Sequence, residues 1–179
     1  RTQFKIQFMF QREFCLVKWL LKCNFASTQH FVIPNILSIM RNKYFSDEQI
    51  SFNDLYFVCY MIERVARRLH QRNSYVVNHI GKESLEHLIS VANVLHAENP
   101  AAVEDDWIKE YSLEKGNVDI TQVDDELVKK IPSATQMGKV YQRLILDTAL
   151  PNENEVNGII RVYNNSICDV IDNYNCSAY

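Results

Sequence analysis

The stretch Arg72-Asn73-Ser74-Tyr75-Val76-Val77-Asn78-His79 sets a guanidinium seven positions ahead of an imidazole. A guanidinium is a fixed cation that binds phosphate, and an imidazole exchanges protons near neutral pH. Just upstream, Arg64, Arg67, Arg68 and His70 extend this basic concentration. Arginine forks bind phosphate bidentately, so Arg64, Arg67 and Arg68 are candidate phosphate ligands. The competing reading is structural: Glu63 and Arg67 have the i, i+4 spacing of a helical ion pair, and the other arginines fall where a helix C-terminus favours cations.

Other constellations are weaker. His79, Glu83 and His87 are spaced i, i+4, i+8, which on an unbroken helix aligns three metal-ligating side chains. Gly81 interrupts them, and an exposed Glu–His pair is the expected arrangement, so no metal or cofactor is assigned. His96 falls on the apolar side of its helical wheel and is expected to be partly buried in a structural role. No Gly-rich phosphate loop, HExxH, EF-hand or nucleophile-elbow pattern is present.

The arginine, polar residue, spacer and histidine from Arg72 to His79 resemble the motif of the HEPN ribonucleases, an all-helical superfamily common in toxin and phage-defence systems. The resemblance implies His79 as acid or base on the ribose and Arg72 as the ligand of the phosphorane charge. It also implies a dimer with two facing motifs. Arg64 with His70 is a poorer second match, without the polar residue after Arg. The likeness covers eight of 179 residues.

Charge is unevenly distributed. Residues 1–39 carry Arg1, Lys5, Arg12, Lys18 and Lys22 against Glu13 alone, a net of +4, which leaves −7 to residues 40–179. The chain opens on Arg, and Met40 stands at the boundary. Either Met40 is the biological start and residues 1–39 are upstream or foreign sequence, or they form a basic, aromatic, amphipathic helix over about residues 4–25. Such a helix would lie on a membrane surface, dock to a partner or add to the core. Residues 40–179 are expected to be a single all-helical domain.

A net of −7 argues against broad RNA binding. Between Glu98 and Glu126 ten acidic residues face only Lys109 and Lys115. Most are expected on a solvated helix face, and the alternative is an acidic surface that docks a basic partner. Five widely spaced cysteines without a CxxC pair support neither a zinc ribbon nor a disulfide framework. No apolar run reaches the length of a signal peptide or membrane span, so a cytoplasmic protein is expected.

Four Gly and four Pro are few for a many-stranded fold, and the punctuation is helical. Capping boxes stand at Ser46-Asp-Glu-Gln49 and Ser133-Ala-Thr-Gln136, with a second start at Ser51. Phe52, Leu55, Cys59, Ile62, Ala66 and Leu69 trace a seam toward Arg72. A short segment, Tyr75–Ile80, leads to a helix over 82–97 with Leu85, Leu88, Ala92 and Leu95 inward. Asn99-Pro100 opens a shorter helix with Val103, Trp107 and Tyr111, ended by a turn at Lys115-Gly116-Asn117. Further helices are expected over about 121–131 (Val123, Leu127, Ile131), from Ser133 to Pro151 (Met137, Val140, Tyr141, Leu144, Thr148), and from Glu153 with Val156, Ile160, Tyr163, Ile167, Val170 and Tyr174 inward.

The fold class is therefore all-α, a bundle of about six helices with short connections and no substantial sheet. The preferred function is a non-enzymatic helical interaction or regulatory module, antitoxin-like or defence-linked, with a basic protein partner as one option. The alternative is a metal-independent RNase using Arg72 and His79.

Overall fold

Ser51 opens the first long helix. Its hydroxyl accepts from the Asp54 amide at 3.2 Å while Asp54 accepts from the Ser51 amide at 2.7 Å, a complete capping box. Helix α1 runs over Phe52–Leu69. The start at Ser46 is not used, because Gln49–Ile50 (β2) pairs antiparallel with Met40–Arg41 (β1), Met40 opposite Ile50. The turn between them is held by Asn42 Oδ1, which accepts from the amides of Tyr44 and Phe45 at 3.0 Å.

The computed structural model describes residues 40–119, 122 and 130–171, all within one compact unit, Leu37–Ser177. Outside them lie residues 1–39, most of the helix expected over 121–131, Tyr174 and Cys176. Seven helices appear among the described residues, with no sheet beyond the two-residue strands, as an all-α bundle requires. After α1 come α2 (Asn73–Ser90), α3 (Ala92–Leu95), α4 (Pro100–Glu110), α5 (Ala134–Asp147), α6 (Glu155–Tyr163) and α7 (Ile167–Ile171).

Helix α1 is the centre, packed against α2, α3, α4 and α5. Its seam residues Leu55, Cys59, Ile62, Ala66 and Leu69 are buried, and so are Phe57, Val58, Met61 and Val65. Phe52, the first seam position, is exposed. Helix α5 lies antiparallel to α1: Gln142 donates to the Phe52 carbonyl, Gly138 meets Tyr60, and Arg67 donates to the Pro132 carbonyl. A Cβ on Gly138 would stand 2.9 Å from the Tyr60 Cα, so only glycine allows this approach.

Several expectations are corrected. The segment Tyr75–Ile80 is helical, and α2 begins at Asn73, with Gly81 (φ 75°, ψ 168°) kinking it where only glycine is at ease. The helix expected over 82–97 breaks at Val91. The turn at Gly116 is instead a segment drawn against the end of α1, where the amides of Gly116 and Val118 donate to Leu69 and His70 carbonyls at 2.7 and 2.8 Å. These satisfy helix-end acceptors that α1 cannot satisfy itself. The last helix divides at 164–166, and Gly158 buries against Ile145. The buried arc of α6 is thereby Val156, Ile159, Val162 and Tyr163; Ile160 and Ile167 are only half-buried. Ile131, expected inward, is exposed.

Candidate functional site

Each arginine of the basic cluster already has a carboxylate. Arg64 pairs with Glu104 and donates to the Tyr60 hydroxyl at 2.8 Å. Arg67 donates to Glu63 at 2.6 Å, and Arg68 reaches both Glu104, at 3.2 Å, and Asp105. Glu63 and Glu104 are buried, so Glu104 is no part of a solvated acidic face. Burial acts against the charge on Arg64, but Glu104 and Tyr60 outweigh it and its pKa is raised. A phosphate ligand here would have to displace carboxylates that are held from water by the fold.

Glu63 also accepts from Asn73 Nδ2 at 2.7 Å, tying α1 to the first turn of α2. Beside this network the Tyr141 and Tyr163 rings stack at 4.4 Å. Burial pushes the Cys59 thiol up to about 12 and the Tyr163 hydroxyl well above its ordinary value. These are bundle-fixing groups rather than reactive ones.

Arg72 precedes α2 and His79 lies within it, about two helical turns further along the chain. Arg72 occupies the N-cap position and pairs with Asp169 of α7. His79 is exposed, donates from Nδ1 to the Tyr75 carbonyl at 3.0 Å, and packs its ring against that of Tyr75, tilted by 34° with the centroids 3.8 Å apart. Tyr75 stands between them in the chain, its hydroxyl accepting from the Glu114 amide at 3.0 Å. The dihedral break at Gly81 separates His79 from Glu83 and His87, whose ring instead meets Tyr44 edge-on at 5.1 Å. Among the described residues no group of three His, Cys, Asp or Glu side chains could hold a metal ion. His96 is half-buried as expected, 4.3 Å from the Phe57 ring, with Nε2 3.1 Å from the Asn53 carbonyl oxygen.

Sequence reasoning missed a second surface. Every residue of α1 that is not buried falls on one strip: Phe52, Asn53, Tyr56, Tyr60, Arg64, Arg67 and Arg68. Tyr56 and Tyr60 stack at 6.0 Å, and the Arg64 guanidinium lies 5.4 Å from the Tyr60 ring. At the Phe52 end the strip borders a shallow groove of about 590 Å³, lined by Phe52, Asn53 and Tyr56 of α1 and Lys139, Gln142 and Arg143 of α5. The signal in the sequence is the i, i+4 aromatic spacing of Phe52, Tyr56 and Tyr60, of which the seam includes only Phe52.

Around this end the segments expose large apolar side chains among polar ones: Tyr44 and Phe45 between the two strands, Phe52 at the start of α1 and Val94 on α3. Their segments are laced together by Asn42 Nδ2 to the Ser90 carbonyl at 2.9 Å, Asn93 Nδ2 to Glu48 at 3.1 Å, and the His96–Asn53 contact. No helix among the described residues is long and apolar enough to cross a membrane. Comparison with protein-family models, with curated proteins and with solved structures finds no match to this chain.

Proposed function

We propose that this protein is a non-enzymatic helical interaction module of the cytoplasm, regulatory in the manner of an antitoxin-like or defence-linked component. The observation that supports it is the exposure of Tyr44, Phe45, Phe52 and Val94 on segments that hydrogen-bond to their neighbours, in a bundle whose buried Glu63 and Glu104 are already paired. Clustered apolar groups on a polar rim mark protein contact surfaces. The exposed carboxylates Asp106 and Glu110 of α4 leave an acidic face for a basic partner.

The test is quantitative affinity capture with the 179-residue chain, compared with a Tyr44→Ser/Phe52→Ser variant of matched circular dichroism. A partner enriched by the parent and lost by the variant supports the module. Equal recovery by both, together with turnover of RNA or nucleotide by the purified chain, refutes it.

The second reading is a metal-independent RNase of the HEPN kind. An exposed His79 about two helical turns beyond an exposed Arg72 favours it. The Arg72–Asp169 pair and the Tyr75 ring packed on His79 weigh against a shared phosphate. Cleavage of RNA to a 2′,3′-cyclic phosphate, abolished by His79→Ala, is its test.

A further inference from the structure

The groove between α1 and α5 is lined by two parallel ladders of different chemistry. Phe52 and Tyr56 present aromatic rings one helical turn apart on α1, and Lys139 and Arg143 present cations one turn apart on α5. Both cations are exposed, and among the described residues neither has a carboxylate within ion-pair distance. The nearest acidic influence is Asp147, one turn beyond Arg143. Because the two helices are antiparallel and in close contact at Gly138, the ladders run side by side with a repeat of about 5–6 Å.

We propose that this groove docks an acidic amphipathic helix of a partner protein, carboxylates at i, i+4 on Lys139 and Arg143 and apolar side chains against Phe52 and Tyr56. The inference rests on the interaction-module reading and names the partner chemistry at one surface. Charge complementarity selects the occupant. The two cations lie a turn apart, the same repeat at which a helix presents its own side chains, and the rings beside them accept its apolar face. A nucleic acid would bring many phosphates onto a domain of net −7, of which only two would meet these cations. A small ligand would leave most of its surface in water in so open a groove.

The experiment uses the full 179-residue chain and designed fluorescent peptides about 14 residues long, long enough for four helical turns. One carries Leu and Glu ladders at i, i+4, and the second has every Glu replaced by Lys. Saturable binding of the acidic peptide, weakened at least tenfold by Lys139→Glu with Arg143→Glu and by Phe52→Ser but unchanged by Lys82→Glu, supports the proposal. These positions are exposed, so circular dichroism should match the parent.

The assignment is overturned by equal binding of the Lys peptide, by insensitivity to the double charge reversal, by displacement with single-stranded RNA at lower concentration than with acidic peptide, or by no binding up to about 1 mM. If the Lys peptide binds and Phe52→Ser leaves it intact, the groove assignment falls while a module acting through α4 stands. If neither peptide binds and captured partners ignore Tyr44 and Phe52, both readings fall.

Discussion

Glu104 and Arg64, forty residues apart in sequence, form an ion pair in which the carboxylate side chain is only 7% exposed and also accepts from Arg68. The pair joins α4 to the centre of the bundle and neutralises the basic cluster. Removing a buried partner leaves uncompensated charge, and partial exposure of both arginines moderates the loss. Glu104→Ala should cost about 2–3 kcal/mol in urea unfolding. It should also release the Arg64 guanidinium, while Arg68 keeps Asp105. The variant should be retained on heparin at salt concentrations that elute the parent, and unchanged retention would show that Arg64 is not neutralised by Glu104.

Core truncations should sort by burial rather than by seam position. Ile62→Ala and Ile159→Ala remove fully buried side chains and should each cost about 2–5 kcal/mol. Ile167→Ala, at a half-buried site, should cost less than either. Thermal melts of the three variants compare them directly, and an inverted order would place the buried arc of α6 and α7 elsewhere.

Gly81 and His70 are opposite cases of positive φ. No atom lies within 4 Å of a Cβ built on Gly81, yet Gly81→Ala should destabilise by about 1–3 kcal/mol, because its φ and ψ suit glycine alone. His70 ends α1 in the left-handed conformation at φ 53°, so His70→Gly should stabilise by about 1 kcal/mol. Chemical denaturation midpoints report both signs.

The pH dependence contains two opposed carboxylates. Arg161 donates two 2.8 Å hydrogen bonds to Glu153 and holds its carboxyl below the usual range, burial opposing to a lesser degree. A folded value below the unfolded one means that the pair stabilises above the unfolded pKa, and that this is lost as pH falls through the folded value. Asp147 is the reverse: displaced water raises it, and as the last residue of α5 its charge opposes the helix dipole. Glu153→Gln should therefore lower the Tm at about pH 7, and Asp147→Asn should raise it. The Asp147 difference should fade as pH falls below the unfolded Asp value of 3.8, and the Glu153 difference should begin to shrink below 4.5 and vanish once pH has passed its lowered folded value.

Cys59 and Cys168 are buried free thiols, and burial pushes Cys59 up to about 12. Neither should react with iodoacetamide in the native state near pH 8, and both should react in urea. Peptide mapping distinguishes them, and native-state labelling of Cys59 would contradict its burial.

What was legible in the sequence was local. The Ser133 capping box, the second start at Ser51, the Asn99-Pro100 start and the α1 seam from Leu55 to Leu69 each act within a few residues and stand in the structure, whereas the capping box at Ser46 does not. Helix α2 was missed at its start because Asn, Ser, Tyr and paired valines have weak helix propensity, and packing against α1 and α6 overrides it. The phase of α6 was misjudged because Gly158, silent in a hydrophobic pattern, sets the line of closest approach to α5. The fate of the arginines was hidden for another reason. Glu104, Asp105 and Asp169 lie 36 to 97 residues from the cations they meet, and no spacing rule reaches that far.

The central place of α1 has a consequence during synthesis. Helix α1 is complete at Leu69, but its antiparallel neighbour α5 ends only at Asp147. At roughly 5–20 residues per second the ribosome needs about 4–16 s to supply that stretch. Until then the face of α1 that receives Gly138 has no cover, and the carbonyls at its end wait for Gly116 and Val118 to emerge. Nascent chains stalled between Glu110 and Ala134 should therefore bind trigger-factor-like holdases, and chains released beyond Asp147 should not.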